Sequence, residues 1–178
     1  MRPIRVAAAL SAVLLVAIAW YLGSPLFIRT TTNEPLPTTI AIAPTAAPAA
    51  PAASASRPIP SPAAEAGAAI LRRGALQYVD ALHNGKGRVL IIDIEAHTFL
   101  RFEDVSITNA PDVHVYLAKS RDGAWSEQFS TYVGPLKATD GSFNYQLPDG
   151  LDVAAYGSVV VWCRAFSVLV TWANLERP

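Results

Sequence analysis

One cysteine in 178 residues is the most consequential scarcity in this chain. With Cys163 alone there is no intramolecular disulfide, no C-x-x-C redox pair and no cysteine-based zinc site. The only methionine is Met1, so haem ligation by methionine is excluded. Charge is balanced, 14 Lys and Arg against 14 Asp and Glu, and no basic cluster supplies the electrostatic footprint of a nucleic-acid binder. The sequence has no Gly-rich phosphate loop opening a helix, no nucleophile-elbow motif and no H-E-x-x-H. A single thiol with no dedicated base beside it in sequence names no nucleophile–base pair. These absences favour a redox or binding module over a self-contained enzyme.

What is present begins with an apolar run over residues 6–22, broken only by Ser11 and preceded by Arg2 and Arg5. A bilayer-spanning helix needs about 20 apolar residues. Trp20 and Tyr21 suit the far headgroup interface, and the preceding arginines predict an N-in, C-out orientation. Residues 1–28 are therefore expected to be a signal anchor or transmembrane helix. Ala17-Ile18-Ala19 supports the competing reading, a cleaved signal peptide. No cysteine closes the run, so a lipoprotein anchor is excluded. Either reading places the rest of the chain outside the cytoplasm, and the anchor reading holds it at the cell membrane as a single-pass protein. Residues 29–66 are Pro, Ala, Thr and Ser with few charges, including Ala43-Pro44, Ala47-Pro48 and Ala50-Pro51. Such a segment buries too little to offset the entropy of ordering, and it reads as a disordered stalk.

From residue 67 to 178 short β runs alternate with turn signals. Asp112, His114 and Tyr116 alternate with Val113, Val115 and Leu117 at period two. Residues 75–80, 88–94, 98–102, 132–136, 142–147, 159–163 and 166–172 read as further strands. Asn84-Gly85 reads as a hairpin turn, and Asp122-Gly123, Asp140-Gly141 and Asp149-Gly150 as punctuation. Residues 66–73 alone could form a helical turn. About eight strands predict an all-β antiparallel sandwich or barrel. Residues 159–163 and 166–172, apolar on both faces, predict central strands.

Cys163 is the candidate redox thiol. Spacing alone suits an inert core cysteine, among the most buried residue types. Against that, an unpaired thiol outside the cytoplasm is unusual. The strand ends near Cys163, Trp162 and Phe166 flank it, and Arg164 could favour a thiolate, although neighbouring strand residues face opposite ways. His114 with Asp112 offers a possible metal or haem site, since imidazole is the commonest metal ligand. The plainer reading of the pair is a polar outer strand face. No cofactor is otherwise indicated. His83 and His97 beside turns read as solvated. Trp125 and Phe129, in the polar loop 121–131, could be partly exposed and form a small contact patch, while the remaining aromatics read as core.

Three blocks of sequence resemble the DM-thirteen domain family. The first runs from Leu100-Arg101-Phe102-Glu103-Asp104 through Asn109-Ala110-Pro111-Asp112-Val113-His114-Val115-Tyr116-Leu117. The second is Val133-Gly134-Pro135-Leu136-Lys137 with Gly141-Ser142-Phe143-Asn144-Tyr145-Gln146-Leu147-Pro148. The third runs from Tyr156-Gly157-Ser158-Val159-Val160-Val161-Trp162-Cys163-Arg164 to Ala173-Asn174-Leu175. The resemblance implies an extracytoplasmic β-sandwich with an electron-transfer role through one shared cysteine, matched here by Cys163. It also implies a redox partner such as a cytochrome, which for this chain would be another protein.

Overall fold

The computed structural model describes residues 10–18, 20, 29–37 and 68–178. Residues 10–18 and 20 are helical. Among the described residues no helix is long and apolar enough to cross a membrane. The rest of the expected 1–28 anchor, and residues 38–67, lie outside the described residues.

Among the described residues nine strands form two sheets packed face to face. The strands are β1 (Thr31–Asn33), β2 (Ala68–Ala75), β3 (Gly85–Ile94), β4 (His97–Ile107), β5 (Val113–Ala118), β6 (Ser130–Pro135), β7 (Asp140–Gln146), β8 (Ser158–Cys163) and β9 (Val168–Asn174). The five-stranded sheet has the order β1-β7-β4-β3-β2 and the four-stranded sheet β6-β5-β8-β9. All pairings are antiparallel except β1 with β7. The sheets stay separate, so the sandwich is observed and the barrel is not.

Alternation fills the space between the layers. Val89, Ile91, Leu100, Phe102 and Phe143 from the larger sheet meet Val115, Leu117, Val159 and Val161 from the smaller, and all are wholly buried. Phe102 and Phe143 stack with centroids 5.0 Å apart. Burying side chains of this size contributes about 1.5–3 kcal/mol each before the entropy of ordering is set against it.

Several expectations need correction. Residues 68–73 of the possible helical turn at 66–73 lie in β2, and of the 75–80 run read as a strand only Ala75 is in a strand, with 76–80 forming a loop. An isolated helix this short is marginal. Paired to β3 it fills its ladder, and Arg73 exchanges both main-chain hydrogen bonds with Glu176, at 2.9 and 2.8 Å. The turn near Asn84 is held by Asp80, whose Oδ1 accepts from the amides of Leu82 and His83 at 2.7 Å each. Gly85 instead opens β3, and a Cβ there would meet the Thr171 side chain at 2.7 Å. The β3–β4 hairpin turns on Glu95 and Ala96, both at positive φ (50° and 68°), without the glycine that would announce it. Asp140-Gly141 lies within β7 rather than between strands.

β8 is central, as expected, but β9 is an edge strand beginning at Val168, and Phe166 lies in the preceding turn. Its second apolar face is accounted for by a small outer cluster, in which Leu169 and Trp172 cover Val160. Its edge is covered by the loop after β2, since the Gln77 amide donates to the Trp172 carbonyl at 2.8 Å.

The expected stalk also departs from composition at its start. Residues 29–37 lie along the larger sheet, with β1 in parallel register on β7. Arg29 pairs with Asp140 at 2.8 Å and Glu34 with Lys137 at 3.0 Å. The Asn144 amide donates to Glu34 Oε2 at 2.8 Å. The main-chain and charged partners on β7, with Lys137 just before it, offset the ordering cost that composition alone leaves unopposed.

Candidate functional site

Cys163 ends β8 with its side chain on the inner face, opposite Val113 on one neighbour and Val168 on the other. It is wholly buried within the core cluster. Its Sγ donates to the Pro111 carbonyl at 2.9 Å, a contact that requires the protonated thiol. The turn that supplies this carbonyl is pinned from the other side. The Arg164 amide donates to the Asp112 carbonyl at 3.0 Å, and Asp112 itself sits at φ 59°. The sulfur is buried, as spacing alone suggests for a core cysteine, and the accessible strand-end position weighed against it is not what the structure shows. Arg164 points away from the sulfur, and Phe166 stands exposed in the turn.

The polar chemistry gathers on the opposite face of the same sheet. His114 on β5 lies on the outer face, as alternation suggested, and is only 8% exposed. Its Nε2 lies 2.6 Å from Asp112 Oδ1, and its Nδ1 lies 3.0 Å from the Tyr132 hydroxyl on β6. A carboxylate only accepts, so Nε2 carries a proton, and in the neutral imidazole Nδ1 accepts from Tyr132. With both nitrogens engaged, His114 and Asp112 bind each other. Among the described residues no group of three His, Cys, Asp or Glu could hold a metal ion. His83 pairs with Asp80 at 2.8 Å, and His97 lies 3.4 Å from Asp149.

Beside this triad, Arg164 donates from Nε to the Tyr116 hydroxyl at 2.6 Å. Its guanidinium lies 4.7 Å from the centre of the Tyr132 ring and 5.6 Å from that of Tyr116. The hydrogen bond to Tyr116 is the main cause holding the Arg164 pKa above its ordinary value, against an opposing desolvation. The rings continue across the face. Tyr132 and Tyr116 are 5.5 Å apart between centroids, Tyr116 and Trp125 5.3 Å, and Trp125 and Trp162 4.4 Å in a stack. Trp125 is thus half-buried against β8 rather than displayed by its loop, and its indole N–H is buried with no partner among the described residues. A stacked pair adds about 0.5–1.5 kcal/mol beyond its area. Phe129, Tyr132 and Phe166 remain half-exposed around the rim.

Of the sequence candidates, then, Asp112, His114, Trp162 and Arg164 come together on the outer face, while Cys163 lies behind them on the inner one. Tyr132 and Trp125 complete the cluster and were not singled out as its members. Alternation places Tyr116 with His114 along one strand. Nothing in the sequence places β6 or the 121–131 loop beside them.

The family model described as Electron transfer DM13 matches residues 77–175, just over half of the chain. The chain belongs to this family. The matched stretch contains β3 to β9 and every residue of the cluster, while β1 and β2 fall outside it. No curated protein and no solved structure matches the chain. An electron-transfer-related role follows from membership in the DM13 family. For this member the geometry separates a sealed thiol from an accessible aromatic face.

Proposed function

We propose that this chain is a membrane-tethered, extracytoplasmic electron-transfer module. In this reading Cys163 is a redox thiol gated by the turn around Asp112, and a redox protein such as a cytochrome docks on the outer aromatic face. The observation that carries the reading is the way Cys163 is closed off. It terminates a strand, one carbonyl covers its sulfur, and that carbonyl belongs to a surface turn bearing an exposed aspartate at positive φ. Turns of this kind open locally without global unfolding. Once the turn opens, a peroxide-class oxidant transfers one oxygen atom to the sulfur. The thiol becomes a sulfenic acid and the peroxide leaves as water or the corresponding alcohol; two equivalents of a small thiol then restore the starting state, leaving as their disulfide with release of one water. The apolar run at residues 6–22 supports the tether.

The test is peroxide treatment of the full chain, with trapping of sulfenic acid at Cys163 and mass analysis. Slow native trapping is expected, faster when the turn is weakened. If Cys163 reacts only at the rate of global unfolding, the gated thiol is rejected. A second reading, capture of a protein or glycan without redox chemistry, draws on the half-exposed Phe129 and Phe166. It requires that Cys163→Ser leave partner capture intact and that Trp125→Ala impair it.

A further inference from the structure

We infer that Tyr132 is a one-electron redox tyrosine, with His114 as the acceptor of its proton and Asp112 as the residue that orients His114. The inference deepens the electron-transfer reading but does not depend on Cys163.

The two tyrosines of the outer face differ in one respect that decides their chemistry. A phenol that loses an electron becomes a strong acid, so its oxidation is eased when a base already accepts its hydroxyl proton. The Tyr116 oxygen receives a hydrogen bond from Arg164 Nε at 2.6 Å, and a guanidinium has no acceptor to offer. The Tyr132 hydroxyl instead faces His114 Nδ1 at 3.0 Å. Asp112 fixes the tautomer from the far nitrogen at 2.6 Å and is placed to stabilise the imidazolium that forms. This is the role an aspartate plays behind a general-base histidine. Exposure is divided to match. Tyr132 is 47% exposed and open to an oxidant, while His114 is 8% exposed and shielded from bulk proton exchange.

The step balances without further reagents beyond the oxidant. One electron leaves the Tyr132 ring for the metal centre of a docked, high-potential, metal-centred oxidant, whose oxidation number falls by one. The hydroxyl O–H bond breaks, and its proton forms a bond to His114 Nδ1. The product is a neutral phenoxyl radical beside an imidazolium paired with the Asp112 carboxylate. Return of one electron draws the proton back to the phenol. From Tyr132 the oxidising equivalent has a short route through Tyr116 and Trp125 to Trp162, the residue next to Cys163, by ring separations of 5.5, 5.3 and 4.4 Å.

The experiment oxidises the full chain with photogenerated tris(bipyridine)ruthenium(III) and follows the neutral tyrosyl radical by transient absorption and electron paramagnetic resonance. The intact chain should give the radical at a rate slowed in D2O. Tyr132→Phe should lose the signal, whereas Tyr116→Phe and Cys163→Ser should keep it. His114→Gln, checked for an unchanged fold by circular dichroism, should lose yield and make formation depend on added buffer base. A radical of equal yield in Tyr132→Phe overturns the inference, as does unchanged yield and buffer dependence in His114→Gln. Loss of the radical in Cys163→Ser overturns it as well, by assigning the oxidation to the thiol. Trapping of sulfenic acid at Cys163, if unchanged in Tyr132→Phe, shows that the gated thiol stands or falls separately.

Discussion

Strands β5 and β8 present two different materials on their two faces. Inward, Val113, Val115, Leu117, Val159, Val161 and Cys163 form dry core, and the one polar contact made by this set of side chains is the thiol on the Pro111 carbonyl. Outward, His114, Tyr116, Trp162 and the neighbouring Arg164 form a hydrogen-bonded, cation-covered aromatic layer that is half open to solvent. The same backbone ladder holds both, so the difference arises from alternation alone. It teaches that the residue most conspicuous in the sequence and the residues best placed to meet a partner are set back to back.

The largest expected effect tests the inner face. Leu117→Ala removes a wholly buried side chain and should lower unfolding free energy by about 2–5 kcal/mol, measured by urea denaturation. Tyr132→Phe on the outer face deletes one partly exposed hydrogen bond and should cost about 0.5–1.5 kcal/mol. Equal costs would break the comparison, because they would make the outer layer as structural as the core.

A second pair of variants sharpens the contrast at the turn shared by the two faces. Asp112 sits at φ 59°, a conformation that costs a residue with a Cβ about 1–2 kcal/mol. Asp112→Gly removes the carboxylate and relieves the backbone, while Asp112→Ala removes the carboxylate and adds strain, because alanine lacks the short polar side chain with which aspartate tolerates this conformation. Both should weaken the tyrosyl radical signal alike, since both lose the contact with His114 Nε2. Only Asp112→Ala should speed sulfenic acid trapping at Cys163. Equal acceleration in both variants would mean that the carboxylate, not the turn conformation, guards the thiol.

How much of this was legible depends on whether the signal was local. The period-two pattern over residues 112–117 gives β5 and both its faces, and the β-branched run before Ile94 gives most of β3. β2 was misread because Ala, Leu and Arg suit a helix locally, and only pairing with β3 and Glu176 overrides that preference. The β3–β4 hairpin lacked its usual sign because Glu95 and Ala96 adopt positive φ without glycine. In the candidate site, Asp112 and His114 share a strand end and were visible together. Tyr132 and Trp125 reach them only through strand order and loop packing, which no spacing in the sequence encodes.

The smallest effect concerns an element outside both faces, the β1 strap on the larger sheet. The Glu34 carboxyl feels burial, which raises its pKa. The Asn144 amide and Lys137 together outweigh that and leave the pKa lowered. Burial likewise opposes, and contacts from Thr139, Ser106 and Arg29 outweigh, the effect at Asp140, whose pKa is also lowered. A carboxyl held below its unfolded value stabilises the fold above that value, and the contribution disappears as pH falls through the folded one. Acidification below about pH 4 should therefore loosen the strap first. Hydrogen exchange at the Glu34 amide, which donates to the Ser142 carbonyl at 2.7 Å, should rise there relative to its intrinsic rate, while the amides of β5 and β8 stay protected. Glu34→Gln keeps the shape and removes the titration, so it should flatten the part of this acid response that Glu34 carries. If β5 and β8 lose protection at the same pH as Glu34, the strap and the four-stranded sheet open as one unit. The thiol gate would then be governed by the whole sandwich rather than by its own turn.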